Sequence, residues 1–204
     1  MAKQKSLKLN YIYNVSYQVL SLITPLITTP YVSRVLGADG IGDYSFTASV
    51  VTYFSMVAVL GTLTYGNREI SYLQDDRAAR STLFWEIELL SFLSTGICTA
   101  AYLIFLLFCD RSRFSLYAIQ TISIVCVAFD IAWLLQGMEE FGKVMFRNML
   151  FKVINIVFIF TAVRDKDDLF LYVAGMVLLA LASNLSIWFY LPQYIDRPVW
   201  NKLH

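Results

Sequence analysis

The sequence predicts an all-α integral membrane protein, a bundle of six transmembrane helices, and three observations carry that reading. Of the 204 residues, 58% are hydrophobic and only 15% are charged. A soluble domain is about half apolar and about a quarter charged. Aromatic residues make up 16%, a content that suits membrane interfaces. The charges are also clustered. No Asp, Glu, Lys, Arg or His lies between Lys8 and Arg34, between Asp43 and Arg68, between Glu88 and Asp110, or between Asp168 and Asp196. Each gap is long enough for a membrane helix, which needs roughly 20 apolar residues. Two further spans carry one charge each, Asp130 in 114–138 and Lys152 in 148–163.

Residues 1–9 hold Lys3, Lys5 and Lys8 and form a cytoplasmic N-terminus. They resemble the start of a signal peptide, but the apolar run is too long and no small-residue cleavage site precedes Arg34. The first helix, 10–33, is therefore expected to be retained. It contains Pro25 and Pro30, which free backbone groups that a neighbour or water must satisfy. Asn14 and Gln18 stand four apart and share a face. This helix thus faces protein or a wet cavity, with ordinary packing through small and polar residues as the alternative.

"LGADGIGDYSF" joins it to the second helix, 44–65, with Gly37, Gly40 and Gly42 permitting tight turning. These glycines lack the strand, the helix and the Lys-Ser/Thr ending of a phosphate loop. The inner loop "GNREISYLQDDRAARST" reads as a solvated interfacial segment. The third helix, 82–108, has Glu86 and Glu88 near its start, on different faces, and interfacial solvation accounts for at least one of them. The fourth, 114–137, carries Asp130, which costs about 2.5–3.5 kcal/mol at a helix centre. Trp133 and Gly137 follow at i+3 and i+7 on the same face, flanked by Gln136. Asp130 serves either function or an orienting ion pair with Lys152 of the fifth helix, 143–163. The sixth helix is 168–191, and 192–204 is a cytoplasmic tail.

With the N-terminus inside, the inner segments hold ten basic residues and the outer ones five, Arg34, Arg111, Arg113, Arg164 and Lys166. That satisfies the positive-inside rule and places both termini in the cytoplasm. Net charge is +1, so nothing points to nucleic acid. Cys98, Cys109 and Cys126 have no metal spacing, and the lone histidine is the final residue, His204. No nucleophile, base and acid set exists, so neither an enzyme, a metal nor a cofactor is expected.

Two segments carry a resemblance. "PYVSRVLGADGIGDYSF", followed by "FSMVAVLGTLTYGNREIS", is similar to the start of bacterial polysaccharide and O-antigen flippases. These are Wzx-type transporters of the polysaccharide transport family, in the multidrug/oligosaccharidyl-lipid/polysaccharide (MOP) superfamily. "DIAWLLQGMEEF" is similar to that family's D-x-x-W-x-x-Q-G-x-E pattern. The resemblance covers essentially the whole chain and implies the N-terminal lobe of a two-lobed, alternating-access transporter. It implies flipping of undecaprenyl-diphosphate-linked oligosaccharide across a bacterial cytoplasmic membrane for surface polysaccharide synthesis. The family motif covers Arg34, Gly37, Gly40, Arg68, Glu69, Asp130, Trp133, Gln136, Gly137 and Glu139. Arg34 and Asp130 lead as substrate or ion-coupling residues, with Lys152, Asn14 and Gln18 behind them. Arg68 and Glu69 organise the inner end of the second helix, and Gly37, Gly40 and Gly137 serve backbone shape.

The chain reads as six helices, whereas the family has two lobes, so transport requires a C-terminal lobe or a second copy. Partners then include the lipid-linked oligosaccharide, the bilayer, and polysaccharide polymerase and chain-length machinery. Two rival readings stay open: a non-transporting membrane protein that docks on polysaccharide-assembly enzymes, and a drug or cation antiporter lobe.

Overall fold

The structure is a computed structural model that describes residues 7–198, with side chains from Val15 onward. The described residues are helical, with no strand among them. The order is α1 (Leu7–Val59), α2 (Thr62–Tyr72), α3 (Arg77–Leu106), α4 (Phe114–Ala128), α5 (Ala132–Gly137), α6 (Phe141–Ala162), α7 (Leu169–Trp188) and α8 (Leu191–Tyr194). Short 3₁₀ turns at Arg111–Arg113 and Lys166–Asp168 precede α4 and α7.

Five helical segments are long and apolar enough to cross a membrane: Val15–Tyr72, Arg77–Leu106, Arg111–Gly137, Phe141–Ala162 and Lys166–Tyr194. The chain is therefore a multi-pass membrane protein. The first segment has 58 residues. Straight, it would reach about 87 Å, nearly three times a hydrocarbon core. It is not straight. Gly37 takes φ 74 and ψ 174, a conformation open to glycine at no steric cost, and it divides α1 into two arms, 7–36 and 38–59.

The contacts give the arms' directions. Ser21 and Tyr31 on the first arm bond to Lys152 and Val163 of α6 and its end, so that arm runs with α6. Asp43 and Thr47 on the second arm bond to Arg113 and Gln120, so it runs with α4. Along α7, α4 runs parallel, from Leu116 near Val173 to Cys126 at Asn184, and α6 runs antiparallel, from Arg147 at Ser183 to Ile159 near Val173, so the two arms are antiparallel. The connection expected as a loop is thus one residue. Gly42 remains helical, and so does Gly40, where an added Cβ would lie 3.3 Å from Leu36 Cβ. The expected spans 10–33 and 44–65 are joined in one folded-over helical stretch, which is why five such segments stand among the described residues and not six.

Two other expectations change. "GNREISYLQDDRAARST" is mostly helix and not a solvated loop, because Thr62, Gly66 and Ile70 bury one face of α2. Asp76 starts α3 by accepting a bond from the Ala79 N–H at 2.9 Å, the ordinary N-cap arrangement. The fourth helix is broken. Residues 129–131 separate α4 from α5, and the freed carbonyls are claimed by α7: Asn184 Nδ2 donates to Cys126 O and Trp188 Nε1 to Phe129 O. A break at membrane depth persists where protein groups satisfy it in this way.

Three apolar clusters hold the bundle. One joins Ile70, Phe84, Trp133, Leu134 and Ile187 at the α2 end. A second joins Val32, Leu36, Ile159, Val163 and Val173 at the Gly37 end. A third joins Val51, Ala58, Tyr102, Tyr117 and Ile124. Lipid tails are as apolar as leucine, so close fit is what stabilises these contacts. The backbone of Gly175 lies directly against the Phe158 ring, letting α6 and α7 approach closely.

Candidate functional site

One face of α6 carries Asn148, Phe151, Lys152 and Asn155 at helical spacing, and all four line a groove of about 230 Å³. Tyr17 closes it from the first arm, and Met176, Leu179, Ala180 and Ser183 from α7. Lys152 Nζ donates to Ser21 Oγ at 2.7 Å and stands 5.2 Å from the Tyr17 ring centroid. No carboxylate lies within ion-pair distance of it among the described residues. A hydroxyl and a π face orient the cation without neutralising it, so it keeps its capacity for an anion. Asn155 Oδ1, on the same face, is buried without a hydrogen-bond donor. Met176 also borders a second cavity, of about 340 Å³, between the second arm and α4. Its wall includes Gln120, whose Nε2 donates to Thr47 Oγ1 at 2.7 Å.

The expected ion pair between Asp130 and Lys152 does not form. Asp130 sits in the break before α5, where its Oδ1 accepts from the Ala132 N–H at 3.2 Å. It therefore does not belong to a continuous helical face with Trp133 and Gly137. No cation stands within ion-pair distance of it among the described residues. The guanidinium of Arg147 on α6 donates to Asn148 Oδ1 and Ser183 O.

The rest of the D-x-x-W-x-x-Q-G-x-E pattern is a packing junction. Trp133 and Gly137 are four apart on α5 and press on α2. A Cβ at Gly66 would lie 2.5 Å from the Trp133 ring, and one at Gly137 would lie 2.8 Å from Ile70 Cβ and 2.9 Å from Asn67 O. Gln74 Nε2 adds a bond to Gly137 O at 2.7 Å. Gln136 O accepts the Glu139 N–H at 2.9 Å and Leu135 O accepts the Glu140 N–H at 2.8 Å, the two bonds of a Schellman ending. Glu139 holds the left-handed position of that ending, at φ 58, where glycine is usual. So Gly137 serves close approach, and the left-handed turn expected of a glycine falls to Glu139.

The remaining candidates scatter. Arg34 is exposed on the first arm near the Gly37 turn, with no partner among the described residues. Gln18 is exposed on the same arm. The side chain of Asn14 lies outside the described residues. Arg68 and Glu69 pair with each other at 2.8 Å on the surface of α2. Neither reaches the groove.

Three charged residues that the sequence reading does not choose as site candidates stand out. Glu88 is 1% exposed and its Oε1 has no hydrogen-bond donor. The signal was available: Phe84, Glu88, Ser91, Thr95, Cys98 and Tyr102 recur at helical spacing and are all buried, while Glu86 falls off that face. Arg147, one of the ten inner basic residues, is half-buried and bonds Asn148 and Ser183. Arg80 is 5% exposed. Its guanidinium donates to Tyr194 O at 2.8 Å and Gln74 O at 2.7 Å, fastening the segment after α7 onto α3. Arg77 assists through Asp196 at 2.9 Å.

Comparison with known proteins gives a consistent picture. The family model described as "Polysaccharide biosynthesis protein" matches residues 7–201. A putative O-antigen transporter of Escherichia coli (strain K12) is 22% identical over 191 residues, 88% of this chain and 46% of that protein. A putative O-antigen transporter of Shigella dysenteriae is 23% identical over 146 residues, 71% of this chain and 37% of that protein. The chain thus spans less than half the length of these relatives, both named as transporters. No solved structure matches significantly.

Proposed function

The chain belongs to the polysaccharide biosynthesis protein family, and from that premise we propose that it is the N-terminal lobe of a flippase for lipid-linked oligosaccharide. In this reading the two arms of α1 are separate crossings, giving six, with both termini in the cytoplasm of a bacterial cell. The substrate is an undecaprenyl-diphosphate-linked glycan, and transport proceeds by alternating access against a second lobe, supplied by a C-terminal half or a second copy.

The observation that carries the reading is Lys152. An intramembrane cation is expensive and marks a substrate or ion path when no carboxylate neutralises it. Here Ser21 and Tyr17 are its partners among the described residues, at the edge of a groove where Asn148, Asn155 and Ser183 stand among Phe151, Met176, Leu179 and Ala180. That combination suits a ligand with an anionic diphosphate and a hydroxyl-rich sugar. Arg34, without a partner among the described residues near the Gly37 turn, supplies a second cation for the same headgroup at another stage.

The test is complementation of a strain lacking its O-antigen flippase, using this chain alone and together with a C-terminal lobe. Restored surface polysaccharide in either arrangement is the expected result. The reading fails if the chain reaches the membrane in normal amounts, full-length relatives restore the polymer, and neither arrangement does.

A further inference from the structure

The second arm of α1 has three sides. Thr47, Val51 and Ala58 are buried against the bundle. Phe46, Tyr53, Val57 and Leu60 are exposed and apolar, a surface suited to lipid. Thr52 and Ser55 lie on a third side, and both line the cavity of about 340 Å³ that the arm shares with α4 and α7. Hydroxyls on a membrane helix turn toward protein or water and not toward lipid tails.

Gln120 of α4 lines the same cavity and is 3% exposed. The direction of its amide is fixed. Thr47 Oγ1 donates its one proton to the backbone, shared between Asp43 O at 2.9 Å and Tyr44 O at 3.0 Å. It can therefore only accept from Gln120 Nε2, which it does at 2.7 Å. That leaves Gln120 Oε1 without a donor among the described residues. The hydroxyls of Ser55 and Ser123, also in the wall, make no hydrogen bond there either.

These groups narrow the ligand. A lipid chain would leave an amide oxygen and two hydroxyls unpaired, which is costly away from water. No Asp, Glu, Lys, Arg or His lines the cavity, so nothing in it balances a phosphate. Val51, Val59 and Val177 form the apolar remainder of the wall. A sugar ring matches both parts, with hydroxyls around its edge and C–H groups on its faces. The volume is at the small end of ligand sites, about 300–1,000 Å³, which suits a short piece of glycan. Met176 borders both this cavity and the groove that holds Lys152.

We propose that this cavity is a subsite for an uncharged sugar ring, the one joined to the diphosphate taken by Lys152, with Met176 between the two. The assignment rests on the flippase reading. In it Lys152 binds the part common to all lipid-linked glycans, and Gln120, Ser55 and Ser123 bind the part that distinguishes them.

The experiment uses the whole chain, purified and reconstituted in lipid, with modification scored by mass spectrometry at one introduced cysteine. A water-soluble maleimide should react with Ser55→Cys about tenfold or more faster than with the lipid-facing Val57→Cys, because the thiolate forms in water and not in hydrocarbon. Undecaprenyl diphosphate carrying one N-acetylglucosamine should suppress the Ser55→Cys reaction at saturation, whereas undecaprenyl diphosphate alone should not. Gln120→Leu should weaken the glycosylated lipid by about fivefold, the worth of one hydrogen bond, and leave affinity for the bare lipid unchanged. Equal, slow reaction at both cysteines overturns the proposal by showing that the cavity faces lipid. Suppression by both lipids alike overturns it by giving the cavity to the diphosphate or its chain. Suppression by neither, with both bound, overturns it by leaving the cavity to water. A Gln120→Leu effect that is absent, or equal for the two lipids, overturns it as well, and the Ser55→Cys result decides if that variant fails to fold. Binding of neither lipid defeats the flippase reading and this assignment together, whereas binding without preference for the sugar defeats this assignment alone.

Discussion

The junction of α2 with α5 and the groove beside α6 both contain the chemistry that makes this sequence unusual, yet they are built by opposite rules. At the junction every group is matched. Gly66 receives the Trp133 ring, Gly137 receives Ile70, and Gln74 bonds the Gly137 carbonyl. Beside α6 matching stops short. Among the described residues Lys152 has no acid and Asn155 Oδ1 has no donor. A finished junction resists change, whereas an unfinished groove is prepared for a ligand. The contrast separates the motif that identifies the family from the residues proposed to do its work.

The sharpest way to break that contrast is Gly66→Val. Its side chain would enter the Trp133 ring, and about 3 kcal/mol of stability should be lost through overpacking. Thermal unfolding in detergent and membrane abundance would both fall. If neither moves, the junction is not a packing lock. Next is Arg80→Ala, which strands the carbonyls of Tyr194 and Gln74 and should cost about 2 kcal/mol. Protease access to residues 191–196 would rise before global unfolding does, while unchanged access would show that the clamp is idle.

Lys152→Ala tests the other region. Losing one charged hydrogen-bond donor to a substrate anion should lower transport by about tenfold, with normal membrane levels and unfolding temperature. Lys152→Arg should keep most of the activity. A stability loss without a transport loss would make Lys152 a packing residue and erase the contrast. The smallest effect is expected at Glu139→Gly. Glycine relieves the left-handed turn, and stability should rise by about 1 kcal/mol. An unfolding temperature that falls would show that the Glu139 side chain contributes more than its backbone costs.

Much of the fold was legible because a membrane helix is a composition signal. Long charge-free runs mark spans whatever they pack against. The turn near Gly37 was legible too, though as a loop and not as a single residue, because three nearby glycines look alike in sequence and only one is needed for the reversal. The site was less legible. Lys152 stands out as a lone charge in a span, but spacing offers an ion pair with Asp130 only as one of two alternatives, and the contact that holds it, Ser21, lies on another helix. The break at 129–131 could not be read from "VAFDIAW", since the groups that stabilise it, Asn184 and Trp188, lie on α7. Glu88 was hidden by its neighbour Glu86 and by its place near a span's end.

By itself the sequence determined that this chain lives in a membrane, roughly where its spans lie, and which family its motifs resemble. Those are properties of local composition and spacing. The tertiary structure alone decided which charges are paired, which carboxyl is enclosed, and which cation is left available. Such assignments depend on where the donors of one helix fall against the acceptors of another, and no single segment carries that information.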